Sequence, residues 1–133
     1  MKLQILTPDK AVFEGEVDAL LVPGAAGPFE ILKDHAPILS SMVAGLLRVR
    51  VVHKETYYNV TSGFLEFHNN QAVVLAEAVE TPEEIDLKRV EIAKQKALEM
   101  IANPSGAALE KAQAKLALAR AEARRRVADK SKN

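Results

Sequence analysis

The chain has 133 residues, 48% of them apolar, with 18 Lys and Arg balancing 18 Asp and Glu. That fits one ordinary domain, or a small domain with an appendage, and excludes a disordered composition. No run of about 18 apolar residues is present, which excludes a transmembrane helix, and the lack of cysteine excludes disulfides and thiolate chemistry and fits a reducing cytosolic setting. The opening Met1-Lys2-Leu3-Gln4-Ile5-Leu6-Thr7 alternates, with no small-residue cleavage site behind it, so no signal peptide is expected.

The first 80 residues read as an all-β domain. Apolar or β-branched runs recur at Lys2 to Thr7, Ala11 to Val22, Phe29 to Leu32, Leu46 to His53, Tyr57 to Thr61, Phe64 to Phe67 and Ala72 to Ala76. Turn signals separate them: Pro8-Asp9, Pro23-Gly24, Asp34-His35-Ala36-Pro37, Gly45, Lys54-Glu55, Ser62-Gly63 and Asn69-Asn70. Arg48 and Arg50 interleave with Leu47, Val49 and Val51, placing charge on one face and core on the other. Short strands at this spacing predict a sandwich or flattened barrel of roughly eight to ten strands.

At Thr81 the pattern changes to Ala, Leu, Glu, Lys and Arg, the strong helix formers. Thr81-Pro82-Glu83-Glu84 reads as a capping box with Pro at the first helical position, and Asp86 offers a second start. On the first helix Val90, Ala93, Ala97, Met100 and Ile101 project to one side, with Leu87 and Leu98 at its edge. Asn103-Pro104-Ser105-Gly106 breaks it. A second helix is predicted from about Ala107 to Val127, with Leu109, Ala112, Leu116, Ala119, Ala123 and Val127 as its seam, and a frayed tail from Asp129 to Asn133. The predicted class is therefore α+β: a β-domain over 1–80 and an antiparallel helical hairpin over 81–133 whose alanine-rich seam buries few methylenes and closes weakly.

Charge divides along the same line. Up to Glu80, 6 Lys/Arg stand against 10 Asp/Glu, a net of −4; beyond it, 12 stand against 8, a net of +4. The halves attract each other, and the basic half would also attract an acidic partner.

The strings Thr7-Pro8, Phe13-Glu14-Gly15, Val22-Pro23-Gly24, Ile31-Leu32, His35-Ala36-Pro37 and Ser62-Gly63-Phe64-Leu65-Glu66, in this order, resemble the epsilon subunit of bacterial F-type ATP synthase. The likeness covers the whole chain. The family's usual Gly-Glu-Leu-Gly-Ile-Leu-Pro-Gly-His loop is altered here, reading Gly27-Pro28-Phe29-Glu30-Ile31-Leu32-Lys33-Asp34-His35. The resemblance implies a non-catalytic subunit of a rotary motor, peripheral at the cytoplasmic face of the membrane. Its β-domain would contact the gamma subunit and the c-ring, with Glu30, Lys33, Asp34 and His35 near that ring, and couple rotation to proton or sodium flow. The hairpin would permit ATP hydrolysis when folded back and inhibit it when extended.

The resemblance also implies an ATP site. Ile85-Asp86-Leu87-Lys88-Arg89-Val90 is similar to the family's pattern of Ile or Leu, Asp, two variable residues, Arg and Ala, with Val90 in place of the alanine. Glu80 falls where the family places a binding acid, and Arg120 and Arg124 match its pair of arginines four residues apart. Two guanidiniums on one helix face suit a phosphate chain. A structural account of the same residues stands beside this one: Asp86 as a helix cap with Arg89 as its i+3 partner, and Arg120 and Arg124 as solvated charges or partners of Glu91 or Glu99. Arg125 and Arg126, with Arg124, Lys130 and Lys132, form a basic cluster suited to an acidic segment of the alpha and beta subunits, or to the negative end of the helix dipole.

No Gly-rich phosphate loop is present, so the expectation is regulatory ATP binding without turnover, and no required cofactor. His35, beside Asp34, is read as supporting a turn or interface; three scattered histidines predict no metal site. A nucleic-acid module would use the basic hairpin, but the acidic β-domain and the lack of aromatic interleaving oppose it, and no nucleophile–base pairing suggests a hydrolase.

Overall fold

The computed structural model describes residues 1–131. Ten strands come first: β1 Lys2–Leu6, β2 Ala11–Glu16, β3 Ala19–Gly24, β4 Gly27–Leu32, β5 Ile38–Met42, β6 Gly45–Val51, β7 Lys54–Val60, β8 Gly63–His68, β9 Gln71–Ala76 and β10 Val79–Glu80. A 3₁₀ turn, Pro82–Glu84, then leads into α1, Leu87–Ala102, and α2, Ala108–Ser131. The α+β class and the order of its parts agree with the sequence reading.

The strands run β10-β7-β6-β3-β5-β8-β9-β1-β2, with β4 added beside β3. A single bridge, Gly24 to Met42, joins the halves of this path, and there the sheet turns over to enclose the core. Leu3, Ile5, Leu20, Val22, Leu47, Val49, Leu65, Phe67 and Val74 fill that core, each no more than 2% exposed. Alternation explains the choice: on β6, Leu47 and Val49 point in while Arg48 and Arg50 stay on the outer face. Gly63 is required where β8 meets β9, since a Cβ there would lie 1.9 Å from the Leu75 carbonyl oxygen.

The run from Ala11 to Val22 is two strands, broken at Val17-Asp18. Pro23-Gly24 ends β3 rather than forming a turn, because the hairpin to β4 turns one step later, at Ala25-Ala26. β5 and β10 escaped the sequence reading. Ile38-Leu39-Ser40-Ser41-Met42 lacks clean alternation, and β10 has two residues.

Both candidate helix starts are used. Glu84 accepts hydrogen bonds from the Thr81 amide at 3.3 Å and hydroxyl at 2.9 Å, closing the 3₁₀ turn. Asp86 caps α1, its Oδ1 accepting from the amides of Lys88 (3.0 Å) and Arg89 (3.3 Å). α2 continues past Val127 to Ser131, so the tail expected to fray from Asp129 is helical as far as the structure describes it. The burial of Val127 and Ala128 holds that last stretch in place. Lys132 and Asn133 lie outside the described residues.

The predicted seam of α2 needs a correction. The joint between the helices buries Val90 and Ala97 of α1 and Ala114 and Ala121 of α2. The stripe Leu109, Ala112, Leu116, Ala119, Ala123, Val127 instead lies on the face turned toward the β-domain. Ala123 and Val127, at its C-terminal end, are fully buried. Val127 clusters with Leu46 of β6 and Tyr57 of β7. Leu109 and Leu116, at its other end, are 71% and 58% exposed, because this half of α2 overhangs the sheet. The hairpin is thus folded back, held to the outer face of β6 and β7 by the C-terminal half of α2.

Candidate functional site

Where α1, α2 and the β10 edge converge, they enclose a cleft of about 450 Å³, within the size range of small-ligand sites. Its polar wall carries Glu80, Glu84, Asp86, Arg89, Arg120 and Arg124, and its apolar floor is Val90, Ala93, Ala117 and Ala121. Each element brings its residues for a local reason. β10 ends on Glu80 beside β7. The Asp86 cap sets the first turn of α1, which fixes Arg89 and Val90 one turn on. Arg120 and Arg124, one turn apart, share one side of α2, and the alanines between the helices let the backbones come close.

Five of the six residues expected from the resemblance therefore meet in one cleft: Glu80, Asp86, Arg89, Arg120 and Arg124. The sixth, Ile85, packs behind it, 9% exposed, against Val90, Ala121, Val127 and Ala128. Its side chain braces the wall instead of lining it.

Within the cleft the charges are unevenly committed. Arg124 Nε donates to Glu80 Oε1 at 2.7 Å, and the same oxygen accepts from Asn59 Nδ2 at 2.9 Å. Arg124 is therefore paired with the β-domain, not with Glu91 or Glu99. Among the described residues neither Arg89 nor Arg120 has a salt bridge, so the expected Asp86–Arg89 pair is not made. Two guanidiniums remain free for an anion beside a third held in place. Glu84 belongs to the wall as well, and the Thr81 hydroxyl, then the Thr81 amide, hold its carboxyl below the usual range. Sequence reading saw Glu84 only as a capping residue, since Glu80 ends a strand and Glu84 lies in the turn after it. Asn59 had no signal in the sequence.

The residues expected at partner surfaces are dispersed. Glu30 is bridged to Arg48 across Leu21 of β3. Asp34 (φ 67°) is clasped by Asn70, whose Oδ1 accepts from the Asp34 amide at 2.7 Å while its Nδ2 donates to Asp34 Oδ1 at 2.9 Å. His35 sets its ring edge-on to Phe67, centroids 5.9 Å apart, and Lys33 is exposed beside them. Arg125 lies 3.8 Å from Glu91 and 3.4 Å from Asp129, and Arg126 lines a separate charged groove with them. Lys132 of the basic cluster is outside the described residues. On the far side of the β-domain, Leu6, Phe64 and Leu75 line an apolar groove, Phe64 being 58% and Leu75 50% exposed.

Two family models match the chain: the ATP synthase delta/epsilon chain β-sandwich domain over residues 1–82 and its long α-helix domain over 83–129. The ATP synthase epsilon chain of Desulforamulus reducens is 38% identical over 120 residues, 90% of each chain. That of Dehalococcoides mccartyi is 37% identical over 130 residues, 98% of this chain and 93% of its own. A chain of the Euglena gracilis mitochondrial ATP synthase OSCP/F1/c-ring assembly shares the fold, with a TM-score of 0.81 at 21% identity over 90% of this chain and 76% of its own. No helix among the described residues is long and apolar enough to cross a membrane. By domain match, by relatives and by fold, this chain belongs to the ATP synthase delta/epsilon chain family and is an epsilon subunit of ATP synthase.

Proposed function

We propose that this subunit is a non-catalytic part of the rotor's central stalk, and that its hairpin is an ATP-responsive brake on hydrolysis. In this reading the cleft binds ATP without turning it over, Arg89, Arg120 and Arg124 meeting the phosphates and the Val90 and alanine floor receiving the flat base. The observation that carries it is the convergence of Glu80, Asp86, Arg89, Arg120 and Arg124 from three elements into one cleft. Those elements stay together only while the hairpin is folded back, so the ligand binds that state alone. At a hundredfold over its dissociation constant it would favour that state by about 2.7 kcal/mol. That suffices to tip an alanine-built joint, whose side chains contribute little at about 0.8 kcal/mol per buried methylene. With ATP scarce, the hairpin extends and its basic end, including Arg125 and Arg126, docks on the alpha and beta subunits.

The β-domain in this reading seats the apolar groove around Phe64 and Leu75 on the gamma subunit and presents the Lys33–His35 loop to the c-ring. The complex works at the cytoplasmic face of the membrane and couples proton flow to ATP synthesis. Calorimetry with ATP on the isolated chain is expected to give saturable binding with one site, weakened at least tenfold in an Arg120→Ala/Arg124→Ala variant. Equal affinity in that variant would take both arginines out of the site. Purification of the tagged chain from its own cells is expected to bring the gamma and c-ring subunits with it, and their absence would remove the rotor reading.

A further inference from the structure

Asn59 is the one buried polar residue among the described residues, 3% exposed on β7. Its neighbours Tyr58 and Val60 point into the core, so Asn59 lies on the outer face, under α2, in a row with Leu46 and Glu80 across the three strands. The amide is oriented by chemistry: Glu80 offers only acceptors, so the NH₂ must face it, and Nδ2 donates to Glu80 Oε1 at 2.9 Å. Its own Oδ1 is buried without a hydrogen-bond partner. A side chain there for packing alone would be apolar, as Leu46 is. An amide kept under an unfavourable burial points to a use for its donor.

We infer that Asn59 is a positioning residue for the cleft, acting on Arg124 through Glu80. The Glu80 carboxylate could swing about its long side chain; Asn59 fixes one oxygen, and Arg124 Nε then takes that same oxygen at 2.7 Å. With Nε engaged, the terminal guanidinium nitrogens of Arg124 remain for an anion, at a position set from the β-domain. The binding site is thereby built on β7 and β10 as much as on the helices, and a phosphate held there ties the hairpin to the sheet. This rests on the nucleotide reading only for the identity of the anion.

The test uses the full chain with Asn59→Leu, close in shape, and Asn59→Ala as a second variant. NMR of the ligand-free chain is expected to show a slowly exchanging Arg124 Nε–H, exchanging at least tenfold faster in both variants while the amides of β6 and β7 are unchanged. ATP affinity is expected to fall about fivefold in Asn59→Leu, a factor within reach of one net hydrogen bond. In an Arg124→Ala background the same substitution is expected to change it less than twofold. An Arg124 signal indifferent to both variants overturns the inference, as does an equal loss of affinity in both backgrounds. Should the parent chain bind no ATP, the nucleotide reading falls, and the Arg124 signal alone decides the role of Asn59.

Discussion

Apolar residues number 41 of 80 in the β-domain and 23 of 53 in the hairpin, and the two regions are held by different means. The β-domain closes over leucine, isoleucine, valine and phenylalanine side chains that reach one another from two layers. The hairpin joint is Val90 against alanines, and its hold on the sheet is a small cluster around Val127, Leu46 and Tyr57 plus one ion pair, Glu80–Arg124. Burial scales with the carbon atoms removed from water, so one part is a scaffold and the other is a fitting that can be detached from it. A regulatory element gains from being the weaker of two neighbours.

The sharpest way to break that contrast is to attack the scaffold. Phe67→Ala opens the core at a site 1% exposed and is expected to cost about 3–5 kcal/mol, read as a shift in the urea midpoint of the whole chain. A loss below about 1 kcal/mol would mean the two regions are packed alike. Next comes Val127→Asp, a charge placed in a fully buried position. Here the hairpin can leave the sheet instead of burying the carboxylate, so the loss is capped at the docking energy, about 1–3 kcal/mol. Hydrogen exchange should show α2 opening while the strands stay protected. Loss of strand protection would show one cooperative unit.

The smallest effect lies at the junction. The folded state holds the Glu84 carboxyl below its ordinary value of 4.5, chiefly through the Thr81 hydroxyl. Its contribution to stability is therefore complete above the unfolded value and is lost as pH falls through the lower, folded one. Thr81→Val is expected to return Glu84 toward its ordinary titration, followed by NMR. An unchanged titration would show that the hydroxyl is not the cause.

The architecture was legible because strand runs and turn residues alternate up to Glu80 and helix formers follow. What stayed hidden depends on the neighbours. Helical periodicity correctly grouped Leu109, Leu116, Ala123 and Val127 on one face, but a projection holds no information about which partner that face meets. It proved to be the sheet. For the cleft, Glu80, Asp86, Arg89, Arg120 and Arg124 were found by their likeness to a family's pattern. Asn59 sits 21 residues before Glu80, and only the pairing of β7 with β10 makes them neighbours, a relation no local pattern encodes.

The half-covered stripe on α2 has a thermodynamic corollary. Leaving the sheet uncovers only the two turns around Ala123 and Val127, whereas Leu109 and Leu116 are already in water and forfeit nothing. Any other seat long enough to shelter all six positions would start ahead by two leucines. The resting posture is therefore shallow by construction: the rod keeps its larger side chains in reserve.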